Sequence, residues 1–170
     1  VNRIRFFHIL IFFLLVFAAF FISTHQTFTQ TPGSVPTTCN GMTVTIMGTT
    51  GNDAIEGTMG DDVILALGGN DTIRGLEGND VICGGEGDDI IYGGPGEDDI
   101  YGGPGNDSIE GNGGNDFLVG NNENDMLYGD EDQDELDGRD GDDACLSGEE
   151  NLNCEEISGE EIETKYGEAN

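Results

Sequence analysis

Gly84-Gly85-Glu86-Gly87-Asp88-Asp89-Ile90-Ile91-Tyr92 and Gly102-Gly103-Pro104-Gly105-Asn106-Asp107-Ser108-Ile109-Glu110 are two copies of one nine-residue phrase. Counted in nines from Gly48, the phrase is written eleven times without a gap and ends at Leu146. The sixth position is always acidic: Asp53, Asp62, Asp71, Asp80, Asp89, Asp98, Asp107, Asp116, Asp125, Asp134 and Asp143. The eighth is Ile55, Ile64, Ile73, Ile82, Ile91, Ile100, Ile109, Leu118, Leu127, Leu136 and finally Cys145. Position one is Gly except at Ala66, and position four is Gly except at Glu123 and Asp132. One acid, one aliphatic and two glycines held in phase mark a stacked repeat, each unit packing on its neighbours, rather than ordinary globular sequence.

The phrase, G-G-x-G-x-D-x-U-x with U a large aliphatic, resembles the hemolysin-type (RTX) calcium-binding nonapeptide repeat family. The resemblance covers residues 48–146, well over half the chain. It implies an all-β fold, a right-handed parallel β-roll in which six residues of each unit form a calcium-binding turn and three a short strand. Two units then make one coil, giving about five and a half coils. It also implies that the eleven position-six aspartates are the metal ligands and that several Ca2+ ions are bound.

The residues support that geometry by themselves. Glycine at positions one and four permits positive φ and close backbone approach in a tight turn. Strand alternation points position eight inward and positions seven and nine outward. Asp is short enough for its carboxylate to join turn carbonyls around one ion. Calcium takes six to eight oxygens in flexible geometry, whereas magnesium demands a rigid octahedron. Strands stack about 4.8 Å apart, so each Asp lies near that distance from the Asp two units on. Two bare charges there repel by roughly 1 kcal/mol in water and about 3.5 kcal/mol at an effective dielectric of 20. Repeated along the array, that repulsion rivals a domain's net stability of about 5–15 kcal/mol. The array is therefore expected to be largely unfolded without calcium and to fold on binding it.

The charge balance agrees. The chain carries 35 acids against 5 Lys and Arg, a formal charge of −30, and no acid precedes Asp53. Such a field welcomes metal ions or a basic surface and excludes nucleic acid as a partner. The Gly-rich runs are no phosphate loops, because no Lys follows them. Asp130, Asp132 and Asp134 imitate an EF-hand start, but Glu135 and Gly141 occupy the positions that need Gly and Glu.

Outside the array, residues 1–24 begin with Arg3 and Arg5 and continue as an apolar run over residues 6–22. They are read as a signal peptide or an uncleaved N-terminal anchor. Either places the array outside the cytoplasm, and membrane contact is expected only through residues 6–22 if they are retained. Residues 25–47 comprise a Thr- and Gln-rich linker and a strand, Met42–Ile46, expected to pair with the first coil and cap it. Residues 147–170 form an acidic C-terminal cap or tail.

Four cysteines in an exported chain favour disulfides, and three pairings are possible. Zinc is the rival reading, but no CxxC spacing occurs. Cys145 and Cys154 bracket the end of the array and resemble the pair that often closes such repeats in exported calcium-binding proteins, which leaves Cys39 for Cys83. Asn70-Asp71-Thr72 and Asn106-Asp107-Ser108 match the glycosylation sequon, but both fall out of the repeat itself.

Catalysis needs a unique constellation in a pocket. Here every invariant Asp has an identical neighbour, both His residues lie outside the array, and no enzyme is expected. The sequence supports a secreted calcium-binding module, an adhesive or anchored surface protein, or an accessory remnant of a larger toxin or enzyme system. Even-numbered units place Val63, Leu65, Val81, Cys83, Asp99, Tyr101, Phe117 and Val119 outward on one sheet. That face is expected to be covered at its start by residues 39–47, leaving Tyr101, Phe117 and Val119 for self-association or a protein partner.

Overall fold

The computed structural model describes residues 37–146, 150–152 and 154–156, with side chains placed for 37–146 and Cys154. The expected signal or anchor segment, most of the expected linker and the residues beyond Glu156 lie outside the described residues. Within them the chain is all strand and turn.

A short antiparallel hairpin, β1 (Thr38–Cys39) and β2 (Met42–Thr43), precedes a solenoid of two parallel seven-stranded sheets. One sheet holds β3 (Ile46–Met47), β5 (Val63–Gly68), β7 (Val81–Glu86), β9 (Asp99–Pro104), β11 (Phe117–Asn122), β13 (Glu135–Asp140) and β15 (Glu150–Leu152). The other holds β4 (Ala54–Glu56), β6 (Thr72–Arg74), β8 (Ile90–Pro95), β10 (Ser108–Gly113), β12 (Met126–Glu131), β14 (Ala144–Leu146) and β16 (Glu155–Glu156). Successive strands alternate between sheets, and neighbours within a sheet are two repeats apart, as in Ile64↔Ile82 and Ile82↔Ile100. This is the parallel β-roll that the resemblance implies.

Eight of the eleven strands from β4 to β14 run six residues, from position seven of one unit to position three of the next, rather than three. Met42–Ile46 is not one strand. Val44 donates its N–H to the Thr37 carbonyl, which turns Met42–Thr43 into the hairpin, and only Ile46–Met47 joins the roll, parallel to β5. At the other end β15 and β16 extend both sheets beyond the last repeat.

The core is the position-eight column. Ile64 through Leu136 are fully buried, with Ile55, Cys145 and Ala66 in the same cluster and Ile46 and Cys154 packed at its ends. Each such side chain contributes about 1.5–3 kcal/mol on burial. One per nine residues makes a thin core, so the turns carry much of the burden of holding register. Two disulfides close the ends: Cys39–Cys83, 44 residues apart in sequence, and Cys145–Cys154, 9 apart.

The even-unit face is less exposed than alternation alone suggests. Leu65 and Val81 are buried, and Val119 is 0% exposed. Tyr101 and Phe117 are half-buried and meet edge to face at 6.1 Å, and Asn40 of the hairpin donates to the Tyr101 hydroxyl at 2.6 Å. Outward pointing on a pleated sheet is therefore not exposure: the disulfide-tethered hairpin packs on β5 and β7 and reaches Tyr101 through Asn40, and Val119 lies in register between Tyr101 and Asp137. On the other face Glu56 and Arg74 are in register, yet the Arg74 guanidinium sits over the Tyr92 ring at 5.2 Å.

Candidate metal centre

Each position-six aspartate sits where a turn enters a strand, and ten of the eleven, Asp62 through Asp143, are buried. The two carboxylate oxygens do different things. Oδ1 reaches back one coil and accepts the backbone N–H of the preceding Asp in its column. The bonds run Asp53→Asp71 at 2.7 Å, Asp62→Asp80, Asp71→Asp89, Asp80→Asp98, Asp89→Asp107 and Asp107→Asp125 at 2.8 Å, Asp98→Asp116 and Asp125→Asp143 at 2.9 Å, and Asp116→Asp134 at 3.0 Å. The same residue's carbonyl accepts the N–H of the strand residue one coil on, for example Val81 to Asp62 at 2.9 Å. The invariance of Asp thus has a structural component: a short side chain with an acceptor pairs the amide that the turn would otherwise leave unsatisfied.

Oδ2 has no such use. In Asp71, Asp80, Asp89, Asp98, Asp107, Asp116, Asp125, Asp134 and Asp143 this atom is buried and has no hydrogen-bond partner. It faces position one of its own unit, beside a carbonyl from the next coil. A Cβ built on Gly75 would fall 2.3 Å from Asp80 Oδ2 and 2.5 Å from the Gly93 carbonyl oxygen, and one on Gly93 2.4 Å from Asp98 Oδ2 and 2.8 Å from the Gly111 carbonyl. Glycine at position one therefore keeps clear a point where an acidic oxygen and a carbonyl converge.

An unpaired carboxylate oxygen out of water is costly in its charged form. Burial, reinforced by the stacked neighbours and only partly offset by the N–H to Oδ1, pushes Asp89 and Asp116 up to about 6, Asp98 and Asp107 to about 7 and Asp125 to about 8. Asp71, Asp80, Asp134 and Asp143 are raised for the same first reason, burial. Such oxygens want either a proton or a cation.

The donor set fits calcium. Among the described residues no three His, Cys, Asp or Glu side chains gather into one cluster. What the turns offer instead is one carboxylate each plus backbone oxygens, a hard, all-oxygen environment suited to Ca2+ and unsuited to a softer metal.

The nonapeptide repeat model of the RTX calcium-binding family matches residues 45–73, 56–91, 74–109, 92–127 and 110–145, and so spans more than half of the chain. The chain belongs to the RTX calcium-binding nonapeptide repeat family. No curated protein and no solved structure matches it.

Two features of this RTX roll are not evident from its acidic column. The first is position two, which adopts positive φ in all nine units from Leu67 (81°) to Arg139 (71°), although only Gly85, Gly94 and Gly103 are glycine there. Position four does so from Gly69 to Asp132, even where Gly is lost, at Glu123 (71°) and Asp132 (77°), but not at Gly141. The second is an outer ladder at position five. Asn52, Asp61, Asn70, Asn79, Asp88, Asn106, Asn115 and Asn124 each accept, through Oδ1, the position-five N–H one coil further on, for example Asp61 from Asn79 at 2.9 Å and Asp88 from Asn106 at 2.9 Å. The Asn/Asp preference at position five was its available signal. Asn70 and Asn106, the two sequon matches, are rungs of this ladder.

Proposed function

We propose that this chain is an exported calcium-binding β-roll that folds as Ca2+ enters between successive coils, and that it serves outside the cell as a structural or interaction module without catalytic activity. The observation that carries the reading is the run of nine buried Oδ2 atoms without a partner, Asp71 to Asp143. Calcium supplies the positive charge that makes stacked carboxylates compatible with burial. The protein's part is to fix Oδ1 by the neighbouring coil's N–H, so that Oδ2 is presented with little freedom left to lose. Position-one glycines keep the approach open, and the position-eight column holds both edges in register. Asp53 and Asp62, whose Oδ2 atoms already have donors, stand apart.

Export is supported by the two disulfides, which persist in oxidising compartments, and by the basic-then-apolar start of the sequence. N-terminal sequencing of exported protein separates a secreted module from an anchored surface protein: loss of residues 6–22 supports the former, retention the latter. The absence of a singled-out acid along the column supports a binding rather than a catalytic role. Association through the even-unit face would rest on Tyr101 and Phe117, since Val119 is buried. Light scattering in calcium tests it. A dimer that becomes monomeric in Phe117→Thr supports the contact, and a monomer in both removes it.

Calcium binding itself is tested by calorimetric titration of chelator-treated protein. Heat and uptake of several ions support the proposal, and no uptake at millimolar calcium overturns it.

A further inference from the structure

The first two turns differ from the other nine. Thr49-Thr50-Gly51-Asn52-Asp53 and Thr58-Met59-Gly60-Asp61-Asp62 share a Thr four residues before the Asp, which no later unit has. Thr49 donates its N–H to Asp53 Oδ2 at 2.6 Å and its hydroxyl to the same oxygen at 2.8 Å. Thr58 does the same to Asp62 Oδ2, at 2.7 and 2.9 Å. Asp62 Oδ1 takes a further donor, the Thr45 hydroxyl, at 3.2 Å.

The backbone differs in step. Position two takes positive φ in units three to eleven and not at Thr49 or Thr58. Two of the nine that take it are Leu67 (φ 81°) and Leu76 (φ 83°), residues for which the left-handed region costs roughly 1–2 kcal/mol. A conformation adopted against side-chain preference is imposed by the site, and the threonine turns are free of it. The oxygen has also moved. A Cβ on Gly48 or Gly57 would lie 3.0 or 3.2 Å from the unit's Asp Oδ2, against 2.2–2.4 Å for Gly75, Gly84, Gly93, Gly102, Gly111, Gly120 and Gly138. Threonine draws the carboxylate away from the point where the next coil's carbonyl converges.

A carboxylate oxygen holding two short donors has spent its acceptor capacity, and the polarised hydrogens of those donors repel a cation. Resting on the calcium reading above, we infer that threonine closes the first two turns in place of calcium, so that metal binding is left to the turns that follow them. The N-terminal coil is then a metal-independent start for the roll. Three further contacts hold it: Thr45 N–H on the Val63 carbonyl at 2.8 Å, the β1–β2 hairpin, and the Cys39–Cys83 bond into the fourth unit. Ordering of the later coils by calcium then has a preformed edge to add to, instead of having to nucleate parallel pairing anew.

The test counts calcium bound by the purified full chain, in mild detergent, by equilibrium dialysis. Asp53→Asn with Asp62→Asn should leave the count of the parent unchanged, whereas Asp98→Asn with Asp116→Asn should lower it. Thr49→Gly with Thr58→Gly removes the hydroxyl donor from both oxygens and permits the left-handed turn that would re-aim the remaining N–H, and should raise it. Hydrogen exchange in chelator supplies a second readout: the Thr49 and Thr58 amides should exchange at least ten-fold more slowly than amides of residues 98–143. An equal fall in count from the two Asp pairs, a count unmoved by the Thr pair, or uniform exchange along the roll overturns the inference while leaving calcium binding intact. A parent chain that binds no calcium overturns the calcium reading and this inference with it.

Discussion

Replacing Asp98 by Asn should move stability in opposite directions with and without calcium. Asp98 Oδ1 accepts the Asp80 amide at 2.8 Å, and Oδ2 is buried without a donor. Asparagine keeps the shape and the first bond, and puts an N–H2 where Oδ2 was, beside the Gly111 carbonyl. Without metal the substitution removes a buried charge flanked by Asp80 and Asp116 and converts an unsatisfied acceptor into a paired donor. Leaving such a group unpaired costs about 1–3 kcal/mol, so the metal-free roll should gain about that much, a five-fold or larger shift in its folding equilibrium. The carboxyl is pushed up to about 7, so the effect is read best at pH 8, where the parent is mostly ionised. With calcium the variant loses a charged ligand, and the loss should resemble the breaking of a buried ion pair, about 3–5 kcal/mol. The assay is far-ultraviolet circular dichroism in two arms, an osmolyte titration in chelator and a thermal melt in calcium. The variant should need less osmolyte to fold and should melt lower. A variant less stable than the parent in both arms would mean that the Asp98 carboxylate already has a protein partner, and would refute the reasoning.

Three further outcomes follow from particular residues. Restoring Gly at 123 and 132 relieves two left-handed non-glycine residues at roughly 1–2 kcal/mol each, less about 0.4–1 kcal/mol for glycine's unfolded-state freedom. Asp132→Gly should therefore gain more than Glu123→Gly, which also gives up the Gly105 N–H to Glu123 Oε2 bond of 3.0 Å; both should tighten calcium, and unchanged affinity and Tm in the double variant would count against this. Because Asp89, Asp98, Asp107, Asp116 and Asp125 are raised in the fold to between about 6 and 8, their contribution to the metal-free roll is full below the ordinary value and lost as pH rises through that window. In chelator, strand content should thus be greater at pH 5 than at pH 8, calcium affinity should fall on acidification, and a flat or reversed profile would contradict the burial argument. Removing the Cys39–Cys83 bond by paired Ser substitution releases a loop of 44 residues, worth at most roughly 4 kcal/mol by chain entropy; the melt in calcium should drop and the β1–β2 amides lose exchange protection, whereas an unmoved Tm would show that the hairpin does not steady the roll.

The roll was legible in the sequence because its determinants are local and periodic. Asp at six and an aliphatic at eight mark turn and strand in every unit, and the family resemblance, with two units per coil, supplies which units stack. The acidic column was legible too, but the division of labour between Oδ1 and Oδ2 was not, since it depends on which amide of the neighbouring coil the carboxylate meets. Thr49 and Thr58 look like neutral variation at position two until their donors are placed on Asp53 and Asp62. Alternation likewise gives the direction in which Val119 points and not its exposure, which depends on the side chains in register beside it, Tyr101 and Asp137. The six-residue strands were hidden because glycine at position one reads as turn, although parallel pairing at positions two and three carries the ladder past it and through the left-handed residue at position two.

The claim that calcium and this fold are coupled is tested most directly by far-ultraviolet circular dichroism of the full chain across a calcium titration from excess chelator to millimolar. Strand signal should rise cooperatively and steeply, from a small residue attributable to the first coil to the content of two seven-stranded sheets. Identical spectra at both ends of the titration would contradict it.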